Sequence, residues 1–210
     1  MNKLFAYVKK EWKFFLFLLG AILLFVVDLV SKWIVERNCV AGTLYPIIPN
    51  FLYVSKSYNT AIAFSLGESL GVAGRVINII ISVVMSVLIA FFWAKKKDKF
   101  HNFEHTIAML LLSGAVGNLI DRAFYWEGTV GFNGVIDFIS FYLGGGPTAP
   151  RNFLNPFATF NFADSFLVIG VLLFIVYVII DQVKASKNKK PEEDLTKDPR
   201  DIDKEKESQE

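Results

Sequence analysis

Four long apolar runs constrain this chain more than any other feature. They cover roughly residues 14–35, 71–94, 106–125 and 157–181. A helix needs about 20 apolar residues to cross the hydrocarbon core of a bilayer. Only helices and closed barrels satisfy their backbone groups in that medium, and runs of this length specify helices. The sequence therefore predicts an all-α polytopic membrane protein with four transmembrane helices. Lys3, Lys9, Lys10 and Lys13 precede the first run, as they would in a secretory signal. The chain then continues "DLVSK" with no small-x-small cleavage site, so the segment is expected to be retained.

The lysines set a direction. Lys95, Lys96, Lys97 and Lys99 lie between the second and third runs, and Lys184, Lys187, Lys189 and Lys190 follow the fourth. The intervening loops, 36–70 and 126–156, carry only Arg37, Lys56 and Arg151. Basic residues concentrate on the cytoplasmic side. Both termini are thus expected in the cytoplasm and both loops outside. Residues 1–183 form the expected membrane domain. Residues 184–210 are polar and charged, a composition that cannot bury enough apolar surface to fold, and read as a disordered cytoplasmic tail. The first loop has short β-branched runs broken by Pro and Asn, which predict strands lying on the membrane surface, a small external β-cradle. The second has an apolar first half and a flexible GGGP turn.

Polar residues inside the apolar runs carry the functional signal. At about 1.5 Å of rise per residue, Asp28 lies about 22 Å beyond Lys13, Asp121 about 24 Å beyond His105, and Asp164 about 25 Å before Asp181. Three helices bring carboxylates to one level in the outer part of the bilayer. Lys32 is one turn from Asp28, Asn118 one turn from Arg122, and Asn161 three residues before Asp164. Ionisable groups at such depth face inward, pair and act. The pairs Asp28–Lys32 and Asp121–Arg122 could equally pin helices at the interface. Asp164 has no such reading, because Phe160, Phe162, Ala163 and Phe166 supply no cation.

Asp137 is the second odd acid, set in "GVIDFI" with two apolar residues on each side. If that segment dips to the interface, Asp137 approaches the level of Asp164. Two adjacent carboxyl groups share one proton and titrate as a pair. The basic member can activate water and the acidic member can protonate a departing amine. A small transporter or proton-relay protein would also use membrane acids. It would not explain a structured first loop or an acid in an apolar loop segment.

Other chemistries fit less well. One cysteine, Cys39, excludes an internal disulfide. A formal net charge of +2 argues against nucleic acid as a partner. "HNFEH" (101–105) has zinc-protease spacing but no evident third ligand, and follows a lysine run away from the other polar residues. No metal or cofactor is expected. Gly114, Ala115 and Gly117 are small residues that let the third helix approach a neighbour. Trp12, Trp33, Trp93, Tyr125 and Trp126 fall near helix ends, where aromatic residues favour the interface.

The motifs "DLVSK" (28–32), "NTAIAFS" (59–65), "GAVGNLIDR" (114–122), "GVIDF" (134–138) and "FNFADS" (160–165) occur in an order that resembles the bacterial lipoprotein signal peptidases, or signal peptidase II. The resemblance spans about residues 14–181. It implies a catalytic dyad of Asp137 and Asp164 in the bacterial cytoplasmic membrane, near its outer face. The implied substrate is a prolipoprotein whose cysteine carries diacylglycerol, cleaved just before that cysteine by a monomer surrounded by membrane lipids. Asn118, Arg122 and Asn161 match positions that orient the dyad or contact substrate, and Asp28, Lys32 and Asn59 match further pocket residues. Asp121 would be a structural partner. The Asp137 segment would be a surface helix or loop closing over substrate. Ala61 stands where the family commonly has Gly, which would cost strain only if that backbone had φ > 0.

Overall fold

The computed structural model describes residues 10–59, 71–124, 134–152 and 154–188. Four helices, α1 (Trp12–Asn38), α2 (Gly71–Lys96), α3 (Asn102–Ala123) and α4 (Phe162–Asn188), are long and apolar enough to span a membrane. Four strands complete the fold: β1 (Leu44–Ile48), β2 (Leu52–Asn59), β3 (Val135–Phe141) and β4 (Ala158–Phe160). They form one antiparallel sheet in the order β1-β2-β3-β4. The expected sheet is therefore present, but only half of it comes from the first loop.

Three expectations need correction. The segment around Asp137 is neither a surface helix nor a loop; it is β3, an inner strand of the sheet. Its sequence VIDFISF is almost entirely β-branched and aromatic, which suits a pleated surface better than a helix. The last helix starts at Phe162 and not at 157, because Ala158–Phe160 pairs with Phe141–Ile139. At its far end α4 continues to Asn188, past the expected helix end at 181. The chain divides into two units, residues 1–174 and 175–210. Of the second, the described part is the end of α4, with Asp181–Lys187 exposed. Residues 189–210, the 60–65 part of the second motif including Ala61, and Tyr125 and Trp126 lie outside the described residues.

The lipid-compatible surface is plain. Leu16, Leu19, Leu23 and Val27 of α1, Ile80, Val84 and Val87 of α2, and Val168 and Leu172 of α4 are exposed. Such residues would be costly in water and are at home in acyl chains. Two apolar clusters hold unit 1 together. Ala21, Trp93 and Ala108 pack with Phe14, Phe17 and Met109 toward one end. Val35, Ile136 and Phe138 pack with Cys39, Val54 and Phe162 at the other, joining α1, the sheet and the start of α4. Cys39 is thus a small packing residue. Along α1, Asp28 and Lys32 fall between Ala21 and Val35, so a polar layer separates the two clusters.

The lysine-rich turns meet at the first cluster's end. Lys97 Nζ lies 2.6 Å from the Glu11 carboxylate, joining the start of α1 to the α2–α3 turn. The zinc-like spacing of 101–105 is absorbed locally. Glu104 accepts a hydrogen bond from the His101 N–H (3.1 Å), a reciprocal cap at the start of α3. His105 is buried, stacks on Phe17 with ring centroids 5.1 Å apart, and accepts a 2.8 Å hydrogen bond at Nδ1 from Trp93 Nε1.

Candidate active site

The polar layer is built around Lys32, whose side chain is fully buried. Its Nζ lies 2.7 Å from Asp28 Oδ2 and 2.9 Å from Asp121 Oδ2, and it donates to Asn118 Oδ1 at 3.3 Å. The i,i+4 pairing of Asp28 with Lys32 is present, and the same ammonium reaches across to α3. Asp121 is thus ion-paired with Lys32. Each carboxylate also ties down a further element. Asp28 Oδ1 accepts the Ala163 N–H (2.8 Å) in the first turn of α4, and Asp121 Oδ2 accepts the Ile136 N–H (3.3 Å) of β3. Removing one member of such a buried set leaves charge uncompensated, at a cost of about 3–5 kcal/mol.

Close helix approach makes this possible. A Cβ at Gly117 would meet Asp28 Oδ2 at 2.7 Å and Ala163 Cβ at 2.9 Å. A Cβ at Gly114 would lie 2.5 Å from the Ala163 carbonyl oxygen. The two glycines thus open the face of α3 on which the start of α4 and the Asp28 carboxylate rest, as small residues do in membrane helices.

Asp164 is set by its own helix. Asn161 precedes α4, and its Oδ1 accepts the Asp164 N–H at 2.9 Å. The Asp164 Oδ2 accepts the Asn161 N–H at 3.2 Å in return. This reciprocal pair satisfies two backbone donors that a helix start leaves orphaned. Asp164 Oδ1 accepts a 2.6 Å hydrogen bond from Asn118 Nδ2 of α3.

Asp137 arrives from the sheet. Asn59 Nδ2, at the end of β2, donates to Asp137 Oδ2 at 3.0 Å. Asn161 Nδ2 donates to Asp137 Oδ1 at 2.7 Å and has Asn118 Oδ1 and the Ile136 carbonyl within 3.2 and 3.3 Å. Asn161 therefore touches both acids, one through its side-chain amide and the other through its cap. The β3–β4 pairing ends at Ile139 and Phe160, so Ile136 has no β4 residue opposite it. Asp121 and Asn161 take up its N–H and C=O instead. The sheet edge is thus stitched to the helices at the residue before Asp137. Burial pushes the Asp137 carboxyl up to about 7, with the Asp164 charge adding to the rise and the Asn59 and Asn161 hydrogen bonds opposing it.

Arg122 lies within electrostatic range of Asp164, Asp137 and Asp121, and its Nη1 donates to Ser82 Oγ at 3.3 Å. Every residue expected at the site is thus in or beside one polar cluster. Sequence reasoning missed Ser82, together with the buried Asn78 and Ser86 on the same helix. A signal was present: the three polar residues recur at four-residue spacing in an otherwise apolar run, marking one helix face. It also missed a hydroxyl ladder across the sheet, in which Ser140 Oγ is 2.6 Å from Ser55 Oγ and 2.9 Å from Thr159 Oγ1.

Known proteins resemble this chain over most of its length. The family model for signal peptidase (SPase) II matches residues 20–180. A protein named lipoprotein signal peptidase from Borreliella afzelii (strain PKo) is 32% identical over 178 residues, covering 84% of this chain and 95% of that protein. Two solved structures described as a bacterial membrane enzyme are each 29% identical, with TM-scores of 0.60 and 0.59. The first match covers 84% of this chain and 93% of that one, the second 77% and 91%.

Proposed function

The chain belongs to the signal peptidase II family, and from that premise we propose that it is an aspartic endopeptidase working through Asp137 and Asp164. Family membership makes it a membrane peptidase that removes signal peptides from prolipoproteins in the bacterial inner membrane. The substrate in this reading is the diacylglyceryl-modified precursor, and the bond cleaved lies just before the lipidated cysteine. The observation that carries the aspartic assignment is Asn161, one residue hydrogen-bonded to both carboxyl groups.

The two acids differ in the way the chemistry needs. Asp137 is buried and holds a proton near neutral pH. Asp164 accepts hydrogen bonds from Asn118 and from the Asn161 N–H, and sits in the first turn of α4, where the helix dipole favours an anion. The Asp164 carboxylate takes a proton from water as the water oxygen bonds to the scissile carbonyl carbon. The Asp137 proton goes to the amide nitrogen as the C–N bond breaks, so the cysteine leaves as a neutral amine. The pair ends with its single proton exchanged between members. Arg122, in electrostatic range of both acids, is suited to orient the pair, and the Asn59 amide beside Asp137 is suited to the substrate backbone. The apolar residues around the dyad exclude competing water.

The lysine-rich ends support an orientation with both termini in the cytoplasm, which puts the dyad near the outer face. That is where a translocated precursor presents its cleavage site. All groups required come from one chain, so the working unit is a monomer.

The test is cleavage of a diacylglyceryl-modified prolipoprotein peptide by Asp137→Asn and Asp164→Asn in lipid or detergent. Both variants should stay folded and monodisperse yet lose cleavage by several orders of magnitude. Retention of more than about a hundredth of the parent rate by either would overturn the dyad, since removing a catalytic general acid or base costs about 10²–10⁴-fold.

A further inference from the structure

A buried polar stripe on α2 has no part in the mechanism above. Asn78 and Ser86 are buried and Ser82 between them is half-buried, while Val76, Ile77, Ile80, Ile81, Val84 and Val87 around them are exposed to the lipid side. A hydroxyl inside an apolar helix can satisfy itself on its own backbone, and Ser86 does so, donating to the Ser82 carbonyl at 2.8 Å. Ser82 differs. Its Oγ accepts from Arg122 Nη1 on α3 at 3.3 Å, so its contact runs between helices. Arg122 stands in the last turn of α3, one turn from Asn118, and its guanidinium is in electrostatic range of both dyad carboxylates. An arginine has several rotatable bonds and sweeps a wide arc unless its head is held.

We propose that Ser82 is a positioning residue: its hydroxyl, delivered by α2, holds the Arg122 guanidinium at the place from which its charge acts on the Asp137–Asp164 pair. The inference rests on the dyad reading and extends it to the one helix that supplies none of the expected site residues. The physical argument is distance. A cation favours the ionised form of a neighbouring carboxyl pair, and that effect falls as the cation moves away. Without the Ser82 hydroxyl, Arg122 loses its contact with α2, its head shifts among its remaining partners, and its average field at the pair weakens. The pair then keeps its second proton to higher pH, so the base is lost earlier as pH falls.

The experiment compares Ser82→Ala, Ser82→Thr and Ser86→Ala, as full-length protein in lipid, on a diacylglyceryl-modified peptide across a pH series. Ser82→Ala should lower kcat about three- to tenfold with little change in KM, by loss of one charge-assisted hydrogen bond. It should also move the acid limb of the pH profile upward by about half a pH unit. Ser82→Thr retains the hydroxyl and should restore both rate and profile. Ser86→Ala removes a hydroxyl of the same face whose bond is internal to α2, and should leave the profile where it was. A Ser82→Ala profile that superimposes on the parent would overturn the proposal. So would an equal shift in Ser86→Ala, which would mean general loosening of α2, or failure of a folded Ser82→Thr to restore the profile. Asp137→Asn and Asp164→Asn, measured alongside, separate the two layers. If they are inactive while Ser82→Ala matches the parent, the dyad stands and this inference falls; if they remain active, the dyad itself falls.

Discussion

A buried acid held near neutral pH destabilises the fold that contains it, and Asp137 allows this to be measured. Its carboxyl titrates at about 7 in the folded protein against an ordinary value of 3.8. The folded state therefore binds the proton more tightly than the unfolded chain does. The resulting stability is complete below pH 3.8 and is lost as pH rises through about 7. Between about pH 5 and about pH 8.5 the loss covers about two pH units of the shift, or about 3 kcal/mol at 1.36 kcal/mol per unit. For a chain of this size that corresponds to a fall in Tm of about 6–12 °C.

Asp137→Asn cannot ionise, so its Tm should fall much less across the same range. At the alkaline end the inactive variant should approach or exceed the parent in Tm, although one of the donors Asn59 or Asn161 must then turn its amide to meet the new NH₂. Thermal unfolding in one detergent at the two pH values gives four melting temperatures. Their double difference isolates the Asp137–Asp164 pair, because the titrating groups outside it are common to both proteins. A parent Tm that is flat or rises with pH would refute the argument, as would a variant that falls as steeply as the parent.

Further outcomes follow from the same geometry. Lys32→Met should destabilise the protein by about 3–5 kcal/mol, because Asp28 and Asp121 lose a shared partner in a dry site; thermal shift in detergent reads this directly. Gly117→Ala should cost about 1–3 kcal/mol and reduce cleavage, since the new methyl must displace Asp28 or Ala163; Tm and rate should fall together. Asn161→Ala removes the cap and the amide on Asp137, so we expect about 1–2 kcal/mol of instability from the cap and roughly 10²-fold loss of kcat from misplacement of the acids. Asn161→Ser keeps a cap acceptor without the amide on Asp137, and should recover part of the stability but not the rate, which separates the two roles.

The four helices were legible because bilayer crossing demands a length and apolarity that little else produces. The acids were legible for the converse reason: Asp28, Asp121 and Asp164 stand out where charge is expensive. What escaped were pairings set by partners distant in sequence. VIDFISF favours a strand by composition, but it gives no local sign that it will lie beside Leu52–Asn59, about 80 residues earlier. The start of α4 was misplaced because Ala158–Phe160 is apolar enough to continue the helix, and only its pairing with β3 makes it a strand. Ser82 is hard to single out because a serine in an apolar helix usually bonds its own backbone, as Ser86 does, and only its contact with Arg122 sets it apart.

The same distinction explains how the two acids come to share Asn161. Asp164 is placed locally: its depth follows from counting along a helix and its orientation from the Asn161 cap three residues earlier. Asp137 is placed globally, by β2 through Asn59, by α3 through the bond from Asp121 to the neighbouring Ile136 N–H, and by Asn161. Asp121 holds that N–H while bound to Lys32, and Lys32 is bound to Asp28, which holds the Ala163 N–H beside Asp164. A continuous set of buried ionic and hydrogen bonds therefore runs from the backbone next to one acid to the backbone next to the other, through Asp121, Lys32 and Asp28. Such a set is poor value as stability, since apolar side chains of equal volume would cost less to bury. Its yield is geometric, because it fixes a strand from one loop against a helix from another.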